Sequence, residues 1–392
     1  MPSEFQNSIR SDLESGLQRL GAKSQHRGLL CVAGVNLCSN DYLGLSRNPA
    51  LREEIAEAVR RAEHVGGTGS RLLSGHFKEW EDLESEFAAF AGTEAALYFG
   101  SGYAANLGLL TSLLGKEDLV FSDALNHASI IDGIRLSGAR KIIYPHGDLN
   151  ALETALRRHA SERCRKIVAT ESVFSMDGDT ADIGAIAALA EQFGAGLFAD
   201  EAHATAVHGP GGRGIVAAGG NADNVLAVLH TCGKALASAG AFVCGGRVLK
   251  EHLINHARTF IFSTAMPPYM AAQIHAALRL AGGLNQKRAE LLAKAKRFAE
   301  AMRNGDWDTS GTASQIVPAI VGSNEDAVDA AEFLQRDGFA VRAIRPPTVP
   351  EGKARLRFSL TSLIEQKELH RLQSSLGEWR ARREAHATAG HA

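Results

Sequence analysis

The stretch Gly196-Leu-Phe-Ala-Asp200-Glu-Ala-His203, followed one strand later by Thr231-Cys-Gly-Lys234, decides how this chain is read. The first is an apolar run that ends in an acid, with a histidine three residues on. Alone it reads as a strand end with a solvated acid and an incidental histidine. The second ends the next expected strand, Val225–His230, so in a parallel sheet both reach the same edge. There a lysine can form a Schiff base with an aldehyde cofactor, and a buried carboxylate can keep a pyridine nitrogen protonated. A protonated ring is an electron sink for a carbanion beside an amino nitrogen, and His203 falls near the ring's phenolic oxygen. The competing reading of Lys234 is a surface lysine in a loop. Its neighbours Gly233 and Ala235 weigh against it, because they leave room for a ligand and offer nothing to pack.

Outward from this edge, short apolar runs separated by glycines read as buried strands: Ala95–Phe99, Leu119–Phe121, Lys166–Thr170, Gly196–Ala199, Val225–His230 and Ala241–Cys244. Helical patterns lie between them, one opening at Asn48-Pro49, where Asn caps and Pro fills the first helical position, another over Ile183–Phe193. The alternation predicts an α/β fold, a mainly parallel sheet with helices on both faces, which binds ligands at the carboxyl ends of its strands. From about Pro267 the texture changes. Helical stretches Tyr269–Gly282 and Gln286–Arg303 lead to strand, helix, strand, strand and helix up to Arg380, the pattern of a smaller α+β domain. The expected division is an arm over 1–45 with short strands around Leu29–Val32 and Val35–Cys38, a large domain over 46–270, and a small domain over 271–392. The tail Ala381–Ala392 is expected to be disordered.

Bulk properties exclude several classes. A net charge of -2 is wrong for a general nucleic-acid binder, so an anionic substrate has to be met by local arginines. Five scattered cysteines without a C-x-x-C pair suggest reduced thiols, with no disulfide frame, zinc site or other metal. The opening MPSEFQNSIRSDLESG lacks a signal pattern, and no apolar run is long enough for a bilayer. A cytoplasmic protein is expected, with no membrane contact.

Three further stretches fall at the same sheet edge. Leu97-Tyr-Phe-Gly100-Ser101-Gly102-Tyr103-Ala-Ala-Asn106 gives strand, glycine turn and helix start in order, the arrangement that holds a phosphate on backbone donors. In Asp123-Ala-Leu-Asn-His127-Ala-Ser129, the histidine either stacks on a ring or settles its own loop. Thr170–Asp179 is rich in acids, but its spacing fails the calcium-loop pattern, which leaves a Ser175 hydroxyl turned toward the ring as the better reading.

The order glycine turn, His127, Ser175, Asp200-x-x-His203, Lys234 resembles the fold-type I pyridoxal-phosphate (PLP) enzymes. Asn40-Asp-Tyr-Leu-Gly44, Phe174-Ser-Met-Asp-Gly-Asp179, Phe262-Ser-Thr-Ala-Met-Pro-Pro268 and Arg345-Pro-Pro-Thr-Val-Pro350 are similar to the α-oxoamine synthase family, over nearly the whole chain from Asn36 to Ser375. That resemblance implies PLP as cofactor, with Lys234 as its Schiff-base lysine, Asp200 on the pyridine nitrogen and His127 stacked on the ring. Ser175, His203 and Thr231 are implied as cofactor contacts, with the backbone of Gly102 and Tyr103 near the phosphate. Thr264 resembles a residue that reaches the phosphate across a dimer interface, which implies a homodimer with shared sites. Arg357, Asn40 and His127 match positions around the amino-acid substrate, Arg345 and Thr348 a loop near the acyl substrate, and Arg19 a substrate-binding arginine of the arm. Ala343–Arg357 is most similar to the branch that joins L-alanine to a pimeloyl thioester, on coenzyme A or acyl carrier protein, with loss of carbon dioxide. The neighbouring branches are 2-amino-3-ketobutyrate ligase, 5-aminolevulinate synthase and serine palmitoyltransferase. A non-catalytic binding subunit of this fold would be expected to have lost the lysine or the acid, and both are present.

Overall fold

The computed structural model describes residues 4–220 and 224–389. Its strands, in chain order, are β1 (Val35–Asn36), β2 (Ala95–Phe99), β3 (Leu119–Asp123), β4 (Arg140–Tyr144), β5 (Lys166–Glu171), β6 (Gly196–Asp200), β7 (Ala227–Thr231), β8 (Ala241–Gly245), β9 (Ile316–Gly322), β10 (Phe339–Ala340), β11 (Ala343–Ile344) and β12 (Ala354–Ser359). Two compact units form. One holds residues 40–175 and 179–291; the other holds the chain through Ser39, residues 176–178 and the chain from Leu292.

In the larger unit seven strands run in the order β2-β8-β7-β6-β5-β3-β4. Only β8 opposes its neighbours, β2 and β7; the other pairings are parallel. Side chains alternate along a strand, so Leu97 and Phe99 face one way and Tyr98 the other. Leu97, Phe99, Ala241 and Val243 join a buried cluster with Leu109 and Leu110 of helix Gly102–Leu113, Ile130 and Ile134 of helix Ala128–Ser137, and Leu253 of helix Arg247–His256. On the opposite face Phe87 of helix Lys78–Ala91 stacks on Phe242 at 3.9 Å, and Trp80 stacks on Tyr98 at 4.3 Å. Helices therefore cover both faces, as the sequence predicts. Helix Pro49–Arg61 starts where expected, with the Asn48 side chain accepting from the N–H groups of Ala50 and Leu51 and Pro49 in the first turn. Among the described residues no helix is long and apolar enough to cross a membrane.

The smaller unit carries an antiparallel sheet in the order β11-β12-β9 and a two-residue parallel pairing of β1 with β10. Helices Asn324–Arg336 and Gln366–Ala389 join it, tied where the Trp379 indole N–H donates to Asp329 at 2.7 Å.

Three local expectations are corrected. The arm is mainly helical over Glu4–Ala22, a segment rich in Leu, Glu, Gln and Arg. Leu29–Val32 forms no strand and is exposed, having no neighbouring strand to pair with, and only Val35–Asn36 of the second expected strand does so. The last helix runs on through Ala389, because Ala381–Ala389 consists largely of alanine, arginine and glutamate, which propagate a helix; residues 390–392 lie outside the described residues.

Candidate active site

Two strand ends set the centre. β6 closes on Asp200 and β7 on Thr231, and the chain then turns to bring His203 and Lys234 together, with Lys234 Nζ 2.7 Å from His203 Nε2. The turn that carries Lys234 is closed by Gly240, whose carbonyl accepts from the N–H of Cys232 at 2.9 Å and from the Thr231 hydroxyl at 3.2 Å. Gly240 has φ +82°, and a Cβ there would fall 2.1 Å from the Tyr98 hydroxyl, so this turn needs glycine. On the far side of the His203 ring, Nδ1 lies 2.7 Å from the Tyr42 hydroxyl, which donates to Asn40 Oδ1 at 3.0 Å. Asn40, Tyr42, His203 and Lys234 thus form one hydrogen-bonded chain.

Asp200 is 5% exposed and anchors a second network. Its Oδ1 accepts from the N–H of Ala202 at 2.8 Å and its Oδ2 from Asn106 Nδ2 at 2.9 Å. The same Asn106 nitrogen donates to Ser129 Oγ at 2.8 Å, and Ser129 Oγ lies 2.7 Å from His127 Nδ1. His127 also caps helix Ala128–Ser137 by accepting from the N–H of Ser129. The protein around His127 desolvates its charged form and lowers its pKa; Asp200 pulls upward and Lys234 downward. The residue is exposed, which leaves the imidazole approachable.

Glu171 ends β5 directly beside Asp200 in the register of the sheet. It is 3% exposed, and its Oε1 has no hydrogen-bond partner. Burial, reinforced by Asp200, pushes its pKa well above the usual carboxylate range.

The glycine turn also lies at this edge. Ser101 caps helix Gly102–Leu113 by accepting from the N–H of Ala104, and Gly102 and Tyr103 open the first turn, whose N–H groups have no intrahelical acceptor. Thr264 bridges to Ser70 and lines a cavity of about 250 Å³ together with Gly100, Ser101, Arg71, Thr259 and Ser263. PLP asks for an amine, an acid at the end of a strand, and free helix N–H groups for its phosphate. Lys234, Asp200 and the start of helix Gly102–Leu113 supply all three within one unit. The fit is further supported by buried acceptor atoms without partners, Asn106 Oδ1 and Glu171 Oε1, beside Asp200.

Ser175 follows β5 and is half-buried. The remaining expected residues belong to the smaller unit. Arg357 is buried on β12 and donates to Ser359 Oγ at 2.7 Å. Arg345 donates to the carbonyl oxygens of Ser24 and His26, so it ties its proline-rich loop to the arm. Thr348 and Arg19 are exposed. Sequence reading passed over Tyr42, Asn106, Ser129 and Glu171. All four stand inside stretches already singled out (Asn40–Gly44, Leu97–Asn106, Asp123–Ser129, Thr170–Asp179), so proximity to a motif was their signal.

Comparison with known proteins finds relatives over most of the chain. The family model for aminotransferase class I and II matches residues 32–376. The 8-amino-7-oxononanoate synthase of Geobacter sulfurreducens is 44% identical over 375 residues, 92% of this chain and 95% of the relative. That of Burkholderia thailandensis is 44% identical over 348 residues, 87% of this chain and 88% of the relative. Among solved structures, serine palmitoyltransferase from S. paucimobilis with bound PLP-myriocin aldimine aligns with a TM-score of 0.86 at 28% identity, covering 96% of this chain and 98% of the other. An 8-amino-7-oxononanoate synthase from Francisella tularensis aligns with a TM-score of 0.77 at 29% identity, covering 90% and 99%.

Proposed function

We propose that this chain, which belongs to the aminotransferase class I and II family, is a PLP-dependent acyltransferase that condenses L-alanine with a pimeloyl thioester. The products are 8-amino-7-oxononanoate, carbon dioxide and the free thiol carrier (coenzyme A or acyl carrier protein), a step of biotin biosynthesis. The observation that carries the reading is the meeting of Lys234, His203 and the buried Asp200 network at one sheet edge, in a chain 44% identical to synthases of that name.

PLP, when bound, supplies an aldehyde for covalent attachment and a ring that withdraws electrons from the substrate's α-carbon. Lys234 would hold the aldehyde carbon and, as an amine at that position, would take the proton from the substrate's α-carbon. Asp200, kept in place by Asn106 and the Ala202 N–H, holds the proton of the ring nitrogen. His127 covers the ring, and Ser175, His203 and Thr231 surround its edge. The N–H groups of Gly102 and Tyr103 take the phosphate, with Thr264 contributed by a second copy, so the working form is a cytoplasmic homodimer with shared sites. Asn40 and Arg357 are assigned to the amino-acid carboxylate, Arg345 and Thr348 to the acyl chain, and Arg19 to substrate from the arm.

Steady-state turnover of purified, PLP-loaded protein tests the substrate pair, with product masses identified. L-alanine with pimeloyl-CoA is expected to exceed glycine with acetyl-CoA or succinyl-CoA. A buried cation or donor set built for the distal carboxylate of pimelate would be left unpaired by a chain lacking it. Equal or faster turnover with glycine and succinyl-CoA would move the chain to the 5-aminolevulinate branch.

A further inference from the structure

Tyr42 is fully buried at 0% exposure, so its hydroxyl must be satisfied by the groups around it. Asn40 Oδ1 and His203 Nδ1 both lie within hydrogen-bond distance, at 3.0 and 2.7 Å. A phenolic hydroxyl has one proton to give. The amide oxygen of Asn40 can only accept, so that proton goes to Asn40, and the contact with His203 has to be donated by Nδ1–H. A neutral imidazole protonated at Nδ1 carries its lone pair at Nε2. That lone pair faces Lys234 Nζ at 2.7 Å. The hydrogen bonds then run in one direction, from Lys234 through His203 and Tyr42 to Asn40.

We propose that Tyr42 is a positioning residue: it fixes the His203 tautomer so that Nε2 accepts a proton from Lys234 and frees the amine for attack on a carbonyl. In that step one Nζ–H bond breaks and its electron pair stays on Nζ. A new N–H bond forms at Nε2 from the ring's lone pair, and the positive charge passes to the imidazole, where the Tyr42 oxygen continues to accept from Nδ1–H. Glu171 on β5 and His127 ahead of helix Ala128–Ser137 interact electrostatically with Lys234, and Asp200 on β6 acts on both of them. Tyr42 lies on a different element from all three, so the hydroxyl can be removed without touching them.

The inference rests on the proposed role of Lys234 as the cofactor amine, and its test is read on cofactor-free protein without any acyl substrate. The first readout needs no catalytic-site variant in the measured sample: in ¹⁵N-histidine-labelled wild type, His203 should carry its proton on Nδ1 and leave Nε2 bare. The signal is assigned by its loss in His203→Gln. A proton on Nε2 overturns the proposal. The second readout is reductive methylation of Lys234 by formaldehyde and cyanoborohydride, mapped by mass spectrometry against the exposed Lys116 in the same digest. Tyr42→Phe keeps the ring and its tilted contact with His203 and removes only the hydroxyl. Labelling of Lys234 relative to Lys116 should slow roughly tenfold at neutral pH. The deficit should disappear as pH rises past the ordinary lysine value of about 10.4, where an amine needs no acceptor. Equal labelling in both proteins at neutral pH overturns the proposal, and so does a deficit that persists at high pH, which would mark a merely structural role. If Tyr42→Phe fails to fold, the nitrogen assignment in wild type decides alone. An error in the acyl substrate would leave both readouts unchanged.

Discussion

Asp200→Asn separates what this side chain does for the fold from what it does for the chemistry, because the structure shows how much of each is at stake. An amide in its place can keep one oxygen on the Ala202 N–H, 2.8 Å away in the native protein. Its new NH₂ would then face Asn106 Nδ2, donor against donor, where a bond of 2.9 Å now exists. Asn106 can turn its own amide over, since its Oδ1 has no partner to lose. Doing so gives up the bond from Nδ2 to Ser129 Oγ. The structural cost is therefore about one buried hydrogen bond, about 1 kcal/mol, which lowers the thermal midpoint by a few degrees and leaves the fold intact. The chemical cost is larger. If Asp200 holds the protonated ring nitrogen of the cofactor, removing it leaves a buried cation without its partner, at about 3–5 kcal/mol. At about 1.4 kcal/mol per factor of ten, exchange of the L-alanine α-proton should fall by about 10²- to 10⁴-fold. The assay is proton NMR of L-alanine in D₂O with PLP-loaded protein and no acyl donor, alongside a cofactor titration that verifies loading. Exchange within tenfold of wild type, with cofactor bound, would refute the role given to Asp200.

Two further outcomes are expected. A Lys234→Ala subunit mixed with a Thr264→Ala subunit, each inactive or impaired by itself, should regain activity in isolated heterodimers, because one hybrid site then holds both residues; no recovery there contradicts sharing. His146 is flanked at 2.9 Å by Asp123 and by Asp179; burial lowers its pKa, but the two carboxylates outweigh this and raise it to about 10. A raised histidine stabilises the fold fully below its unfolded value of about 6.5 and loses that contribution as pH climbs toward the folded value. The urea midpoint of wild type should therefore exceed that of His146→Gln most below pH 6.5, with the gap closing toward pH 10; a pH-independent gap would show that the ion pairs contribute nothing.

The six strands read from sequence between Ala95 and Cys244 all exist because each is buried on both faces, which leaves a continuous apolar run. β4 escaped notice for the complementary reason. It is an edge strand, paired among the described residues only with β3, and most of Arg140-Lys-Ile-Ile-Tyr144 is exposed or half-buried, so no unbroken apolar signal marks it. Strand ends were the other shortfall. β3, β5 and β6 each run on to an acid, Asp123, Glu171 and Asp200, that hydropathy assigns to the following loop. The ladder carries them further because the backbone goes on pairing whatever the side chain: Asp123 opposite Tyr144, Glu171 opposite Asp200. Those acids consequently sit on rigid backbone at the carboxyl edge of the sheet.

The parts of the site that stayed illegible are those whose partners are remote along the chain. Tyr42 meets His203 across 161 residues and Asn106 meets Asp200 across 94, and no local period records such a pairing. The same holds for the division of labour between two carboxyls. By residue type Glu171 and Asp200 are equivalent, and the register places them side by side in a buried region that tolerates one negative charge far better than two. Hydrogen-bond supply separates them. Asp200 receives a backbone N–H and an amide N–H on its two oxygens, whereas Glu171 has a backbone hydrogen bond from His127 but nothing on Oε1, and burial raises its pKa. The difference between the two carboxyls thus comes from Asn106 and the turn at Ala202, two groups that carry no charge and that no charge pattern in the sequence could have revealed.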